Sequence, residues 1–359
     1  MNVFGLLFSL ALGLCGSQSV ELVFAGDAMQ HDKQLASAKR TDGSYDYSNY
    51  FTALKPYIES ADYAVVNLEV PLGGAPYSGY PMFCAPDSYL TAIKDAGFDF
   101  ILGANNHSLD RRDKGVRRTI DQFDAQGIPY AGIYRNKTDR DSIMPVIRNI
   151  NGFRVAFLNY TYGTNGITIQ DDVVVDYIDK GKITADIKKA REAGAEIIAA
   201  CMHWGVEYVL LPNSTQKQLA DFLEEQGVEL IIGGHPHVIQ PMEMRRRKSD
   251  GRNVLVVYSL GNFISAMRKT DTQGGAMVRV RLSRDESGKT YVDTASYRLV
   301  FVSQPSGSDK EYKLVPAEQL LPAFRTIQSG FIRNARKIFD KHNINVPIDT
   351  TAISSYSHK

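Results

Sequence analysis

Asp27, Glu69, Asn106, His107, His203, His235 and His237 are spread over more than two hundred positions, yet each sits just behind a short apolar run. Carboxylate, carboxamide and imidazole are the groups that hold divalent first-row metals. His235-Pro236-His237 is the strongest local signal. Two imidazoles flank one rigid residue, behind Gly233-Gly234, where the backbone can turn sharply. Singly, each group has a plainer reading. Asp27 can cap a turn, Asn105-Asn106-His107 suits turn chemistry, and His203 alone reads as a hydrogen-bonded core histidine. Four of the seven histidines fall in these groups, and together they point to one metal-type site.

The elements that must position these residues alternate. Strands are expected at Val20–Ala25, Tyr63–Val66, Phe98–Leu102, Arg154–Asn159, Glu196–Met202, Glu229–Ile232 and Val254–Tyr258. Helices are expected at Phe51–Glu59, Pro86–Ala96, Lys114–Ala125, Thr184–Glu192 and Thr215–Glu225, several closed by glycine. Alternation of this kind argues an α/β layered domain. In such sheets ligands bind beyond the carboxyl ends of the strands, which is where the candidate residues lie. After Gly275 the pattern changes. Ala276–Leu282 alternates with period two, as does part of Tyr291–Val302, and both read as antiparallel, half-exposed sheet. Pro305–Lys310 is a polar break, and Ala317–Asp340 reads as one or two helices. The divisions are 1–17, 20–304 for the main domain, and 305–359 for a C-terminal helical extension.

The chain has 359 residues, 43% hydrophobic and 23% charged, with a formal net charge of +1. That balance gives no electrostatic pull towards nucleic acid or anionic lipid. Arg245-Arg246-Arg247-Lys248 is locally basic but reads as a solvated hairpin or loop. Val3–Leu14 is an uncharged apolar stretch of signal-peptide length, too short to span a bilayer comfortably. Cleavage is expected near Ser17, so 1–17 is read as a signal peptide and the protein as exported: periplasmic, cell-envelope associated or secreted. Lipid anchoring through Cys15 and a retained apolar N-terminus are the alternatives. Beyond Cys15 only Cys84 and Cys201 remain. Buried free thiols are the plainer reading, with one disulfide as the alternative.

The order of motifs resembles the calcineurin-like metallophosphoesterases, and within them the CapA-like branch named for poly-γ-glutamate capsule synthesis. The resemblance rests on Gly26-Asp27-Ala28-Met29, Asn67-Leu68-Glu69, Asn105-Asn106-His107-Ser108-Leu109-Asp110, Tyr160–Gly166, His203-Trp204-Gly205-Val206-Glu207-Tyr208, Gly234-His235-Pro236-His237 and Tyr258–Phe263. It covers Val20 to Gly275 and implies two packed mixed β-sheets flanked by helices. It also implies metal ligation by Asp27, Glu69, Asn106, His203, His235 and His237. His107 is implied as transition-state stabiliser or proton donor. Met29 stands where the wider superfamily has a histidine ligand, which puts the first metal position in question, and His31 lies close by as an alternative donor. One or two divalent ions are implied. The mixed N/O ligand set suits Mn, Fe or Zn better than Mg.

The implied activity is metal-assisted hydrolysis of a phosphoester or a polymer-linked substrate outside the cytoplasm. The implied partners are such a substrate and membrane-bound polymer synthesis machinery, with no nucleic acid. Tyr80, Tyr162, Asn165 and Tyr208 lie in polar, aromatic loops at the same strand ends. They are candidates for substrate contact, with ordinary loop packing as the plain reading. The alternative function is a non-catalytic accessory protein that binds or helps export an extracellular polymer. Intact Asn106-His107 and Gly234-His235-Pro236-His237 favour the hydrolase; Met29 favours the accessory protein.

Overall fold

The computed structural model describes residues 19–353; the expected signal peptide and Cys15 lie outside them. In chain order the strands are β1 (Ser19–Ala28), β2 (Tyr63–Leu68), β3 (Phe100–Leu102), β4 (Tyr130–Ala131), β5 (Ile133–Tyr134), β6 (Val146–Ile150), β7 (Phe153–Thr161), β8 (Val174–Val175), β9 (Ile197–His203), β10 (Leu230–Gly234), β11 (Ile239–Arg246), β12 (Asn253–Leu260), β13 (Asn262–Ile264), β14 (Gly274–Arg284), β15 (Thr290–Ser303) and β16 (Lys313–Pro316). The helices are α1 (Asp32–Ala38), α2 (Lys55–Glu59), α3 (Asp87–Asp95), α4 (Arg112–Ala125), α5 (Lys137–Ile143), α6 (Lys180–Glu192), α7 (Ser214–Glu225) and α8 (Arg325–His342).

One sheet has the order β16-β15-β14-β1-β2-β3-β4, with β13 also pairing with β1. Its half from β1 to β4 is parallel, and its other half is antiparallel. The second sheet has the order β11-β12-β10-β9-β7-β6, parallel in the centre and antiparallel at both edges. Period-two alternation in β1 divides its side chains between two cores. Val20, Leu22 and Phe24 join Phe157 and the other apolar residues of the second sheet. Val23 and Ala25 turn the other way, towards residues of α2, α3 and α4. Phe100 stacks on Phe157 with ring centres 4.6 Å apart, joining the sheets. The result is two packed mixed sheets flanked by helices.

Several elements differ from expectation for identifiable reasons. The helix expected over Phe51–Glu59 begins only at Lys55, with Pro56 in its first turn. Proline lacks an N–H and is accommodated best at a helix start. The β14 face expected to be half-exposed is largely covered. Arg279 is buried, donating to Tyr57 O in α2 and pairing with Glu21, while Arg281 stays exposed. At the C-terminus, residues 317–321 are irregular and lead through a short 3₁₀ turn into α8. Phe331, Ala335 and Phe339 of α8 recur every four residues and bury one stripe in the main core. Cys84 and Cys201 are free and buried. Among the described residues no helix is long and apolar enough to cross a membrane.

Candidate metal centre

Strand ends from both sheets deliver the candidate residues to one place. β1 carries Asp27 next to its register shift. β2 carries Asn67, and Glu69 follows it; Asn105, Asn106 and His107 follow β3. In the second sheet β9 ends at His203 and β10 at Gly234, so His235-Pro236-His237 forms the connection to β11. All of these residues but the half-buried Gly234 are buried. His235 and His237 have φ values of 96° and 57°. Non-glycine residues held with positive φ are uncommon, and such strain concentrates at ligand sites. Gly234 is needed for a close approach, because a Cβ there would lie 2.7 Å from Asp27 Oδ1.

Asp27 holds the two sheets together at this point. Its Oδ2 accepts the backbone N–H of His235 at 3.1 Å, and its Oδ1 accepts Asn67 Nδ2 at 2.8 Å. His237 Nδ1 lies 3.4 Å from Asp27 Oδ2 and 3.1 Å from Asn262 Oδ1. Glu69 Oε1 stands between the histidines, 3.5 Å from His203 Nε2 and 3.8 Å from His237 Nε2. Asn106 Oδ1 lies 2.9 Å from His203 Nε2. Two donor groups result, Glu69/His203/His235 and Asp27/Glu69/His237, each with its atoms within 4.8 Å of one another.

Burial pushes the Asp27 carboxyl up, but hydrogen bonding and charge from His237, with help from His203 and Asn67, outweigh it and hold it down at about 2. Burial and the Asp27 charge push Glu69 well above the usual carboxylate range. Burial lowers His203 to about 3, and burial with its imidazole neighbours lowers His235 to about 2. Both rings are therefore neutral near pH 7, with nitrogen lone pairs to donate. For His237, burial is outweighed by Glu69 and Asp27, and its pKa rises to about 9.

These residues fit a divalent ion. Glu69 Oε1 and His235 Nδ1 are buried and have no hydrogen-bond partner, although buried polar atoms are ordinarily paired. Separations of 3.5 and 3.8 Å from Glu69 to two imidazoles are long for hydrogen bonds and natural for ligands around a shared cation.

Met29 is not among these donors. It is buried in the apolar cluster on the helix-covered face of the first sheet. His31 does not replace it: its Nδ1 faces Gln34 Oε1 and the N–H of Ala266, both at 3.3 Å, and its ring packs edge-on against Phe83. His107 Nδ1 lies 2.8 Å from Asp110 Oδ2, and Phe83 packs edge-on against its ring at 4.6 Å.

Around the centre, the Tyr162 ring lies 4.5 Å from that of His235, and Tyr208 lies 6.2 Å from His237. Tyr80 packs on Phe83. Tyr80, Tyr162 and Tyr208 retain exposures of 72%, 48% and 42%, so their rings are open to a ligand. Asn165 is exposed as well, and its Oδ1 accepts from Asn106 Nδ2 at 3.3 Å. That contact leaves the Asn106 oxygen facing His203.

Asn67, Asp110 and Asn262 were not singled out from the sequence as site residues, yet each orients one that was. For Asn67 a signal existed, since residues two apart on a strand share a face. Asp110 lies one helical turn beyond His107, a spacing that brings side chains together. Asn262 lies in a separate segment, and only the pairing of β13 with β1 brings it near.

Residues 21–267 match the family described as bacterial capsule synthesis protein PGA_cap. The chain is similar to the capsule biosynthesis protein CapA of Bacillus anthracis, 29% identical over 302 residues, covering 79% of this chain and 68% of the relative. It is also similar to the PGA biosynthesis protein CapA of Bacillus subtilis (strain 168), 26% identical over 286 residues, covering 74% and 68%. Among solved structures, the NAD nucleotidase NadN of Haemophilus influenzae aligns with a TM-score of 0.51 at 11% identity, covering 92% of this chain and 65% of that one. A putative 5′-nucleotidase from Staphylococcus aureus aligns with a TM-score of 0.50 at 14% identity, covering 88% and 58%. The chain thus spans less than two thirds of either nucleotidase, and these likenesses concern the metallophosphoesterase-type fold alone.

Proposed function

Because this chain belongs to the bacterial capsule synthesis protein family, we propose that it is an exported, metal-dependent phosphoesterase-type hydrolase serving capsule or extracellular-polymer biosynthesis. The observation that carries this reading is the unpartnered Glu69 carboxylate oxygen between His203 and His237. Asn106, His203, His235 and Glu69 would hold one divalent ion, and Asp27, His237 and Glu69 a second. Bound there, such ions polarise a phosphoryl group and lower the pKa of an attacking water. His107 contributes the proton chemistry. In its doubly protonated form, with Nδ1 donating to Asp110, the ring would present an Nε2–H to hydrogen-bond a phosphoryl oxygen or protonate a departing alkoxide. Phe83 packs on that ring and limits its motion. The exposed rings of Tyr80, Tyr162 and Tyr208 would bind the part of the substrate that carries the phosphoryl group.

Metal analysis of the purified chain, with a phosphomonoester and phosphodiester screen in added Mn²⁺, tests the proposal. Turnover of at least one ester is expected, and His203→Ala should remove metal and activity together. Turnover that survives His203→Ala would sink the metal-hydrolase reading. The second reading, a non-catalytic accessory protein that binds an extracellular polymer, is favoured by Met29, whose position lacks the superfamily's histidine. Metal binding without turnover of any ester would select it.

A further inference from the structure

The Lys269 ammonium lies 4.5 Å from the centre of the Tyr208 ring, and that ring is a neighbour of His237. Lys269 is exposed and forms no ion pair with a carboxylate among the described residues. Its backbone is nevertheless fixed: its carbonyl accepts both the N–H and the hydroxyl of Thr272. The segment leading to it runs along the centre, with Asn262 Oδ1 facing His237 and the Ala266 N–H facing His31. Tyr208 is held as well. Its φ is 65°, uncommon for a bulky residue, and its N–H donates to Pro236 O at 2.8 Å. That bond ties the ring to the His235-Pro236-His237 turn.

An ammonium that only braced the loop would be expected to sit against a carboxylate. A cation–π contact at an exposed position is weak, so the charge stays available to an incoming anion. We propose that Lys269, carried on Tyr208, forms an anion subsite beside the metal centre and selects esters with a second anionic group a few bonds from the phosphoryl group. This specificity rests on the phosphoesterase reading of the centre, and it makes Lys269 a specificity-determining residue.

Glycerol 3-phosphate and 3-phosphoglycerate differ by one carboxylate and serve as probes. Steady-state kinetics in Mn²⁺ should show a lower KM for 3-phosphoglycerate. Lys269→Met should reduce the preference about fivefold, the upper size of an exposed ion pair. Lys269→Arg should retain the preference, and Tyr208→Leu should reduce it. Calorimetric titration of both esters onto the manganese-loaded chain reads the same preference without turnover. The titration therefore decides the anion subsite whether or not these two esters are hydrolysed, and the wider ester screen decides the phosphoesterase reading. An equal effect of Lys269→Met on both esters, or no preference in the unmodified chain, overturns the anion subsite.

Discussion

Asp27 and His235 join the two sheets at the candidate centre: the backbone N–H of His235 donates to Asp27 Oδ2 across 3.1 Å. The same carboxylate accepts Asn67 Nδ2, so a proposed metal ligand is also a structural clasp. Asp27→Ala would leave the buried His235 N–H unpaired, at a cost of about 1–3 kcal/mol, and Asn67 Nδ2 with its longer bond to Glu69 Oε2 at 3.4 Å. Thermal unfolding in chelator should show the variant melting below the unmodified chain. Added Mn²⁺ should then raise the unmodified Tm more than the variant's, because ligand binding stabilises only the form that binds. Identical melting in chelator would show that the clasp contributes nothing.

Met29 tests how the centre manages without the superfamily's histidine. Its side chain is buried among apolar residues, and its carbonyl accepts Gln34 Nε2 and Tyr89 OH. Met29→Leu nearly conserves volume and should cost less than about 1.5 kcal/mol. Calorimetric titration with Mn²⁺ should be unchanged by it. Loss of a binding step would show that the thioether ligates.

Much of this arrangement was legible beforehand, and the reason is local. Parallel strands buried on both faces read as apolar runs, so the polar residues ending Val20–Ala25, Glu196–Met202 and Glu229–Ile232 stood out. Asp27, Glu69, Asn106, His203, His235 and His237 could be picked on that ground, and the structure brings them to one place. The residues that orient them were hidden because their contacts depend on tertiary pairing. Asn262 reaches His237 only because β13 lies beside β1. Strand β16 went unseen because four residues, Lys313–Pro316, carry no periodicity; it exists by pairing with β15. The period-two pattern of Ala276–Leu282 fixed the faces of β14 correctly. It could not show that α2 would cover Arg279.

His107 and Asp110 form a pair whose roles separate from metal binding. If His107 is the proton donor, His107→Gln should lower kcat by roughly 10²–10⁴, the usual worth of general acid–base catalysis. Asp110→Asn should lower kcat too, because it replaces the charged acceptor 2.8 Å from Nδ1 with a neutral amide. Neither substitution should change the Mn²⁺ titration. A weakened titration in Asp110→Asn would place the residue in the metal centre instead of behind His107.

Protonation should couple to the metal in a direction the buried charges dictate. In the metal-free chain burial works against the His237 imidazolium, but Glu69 and Asp27 outweigh it and raise the pKa to about 9, against about 6.5 for an unperturbed histidine. A group with a raised folded pKa contributes stability that is fully present below its unfolded value and lost as pH rises through the folded one. Glu69, raised by burial and by Asp27, acts with the same sign. The Tm of the chelated chain should therefore fall between pH 6.5 and 9. Metal ligation needs deprotonated donors, so metal binding should strengthen over that range, and the gap between loaded and chelated Tm should widen. His237→Gln should flatten the chelated profile by removing the group that titrates. Parallel profiles for loaded and chelated protein would mean that the ion does not compete with protons on these side chains, and the ligand assignment of His237 and Glu69 would fail.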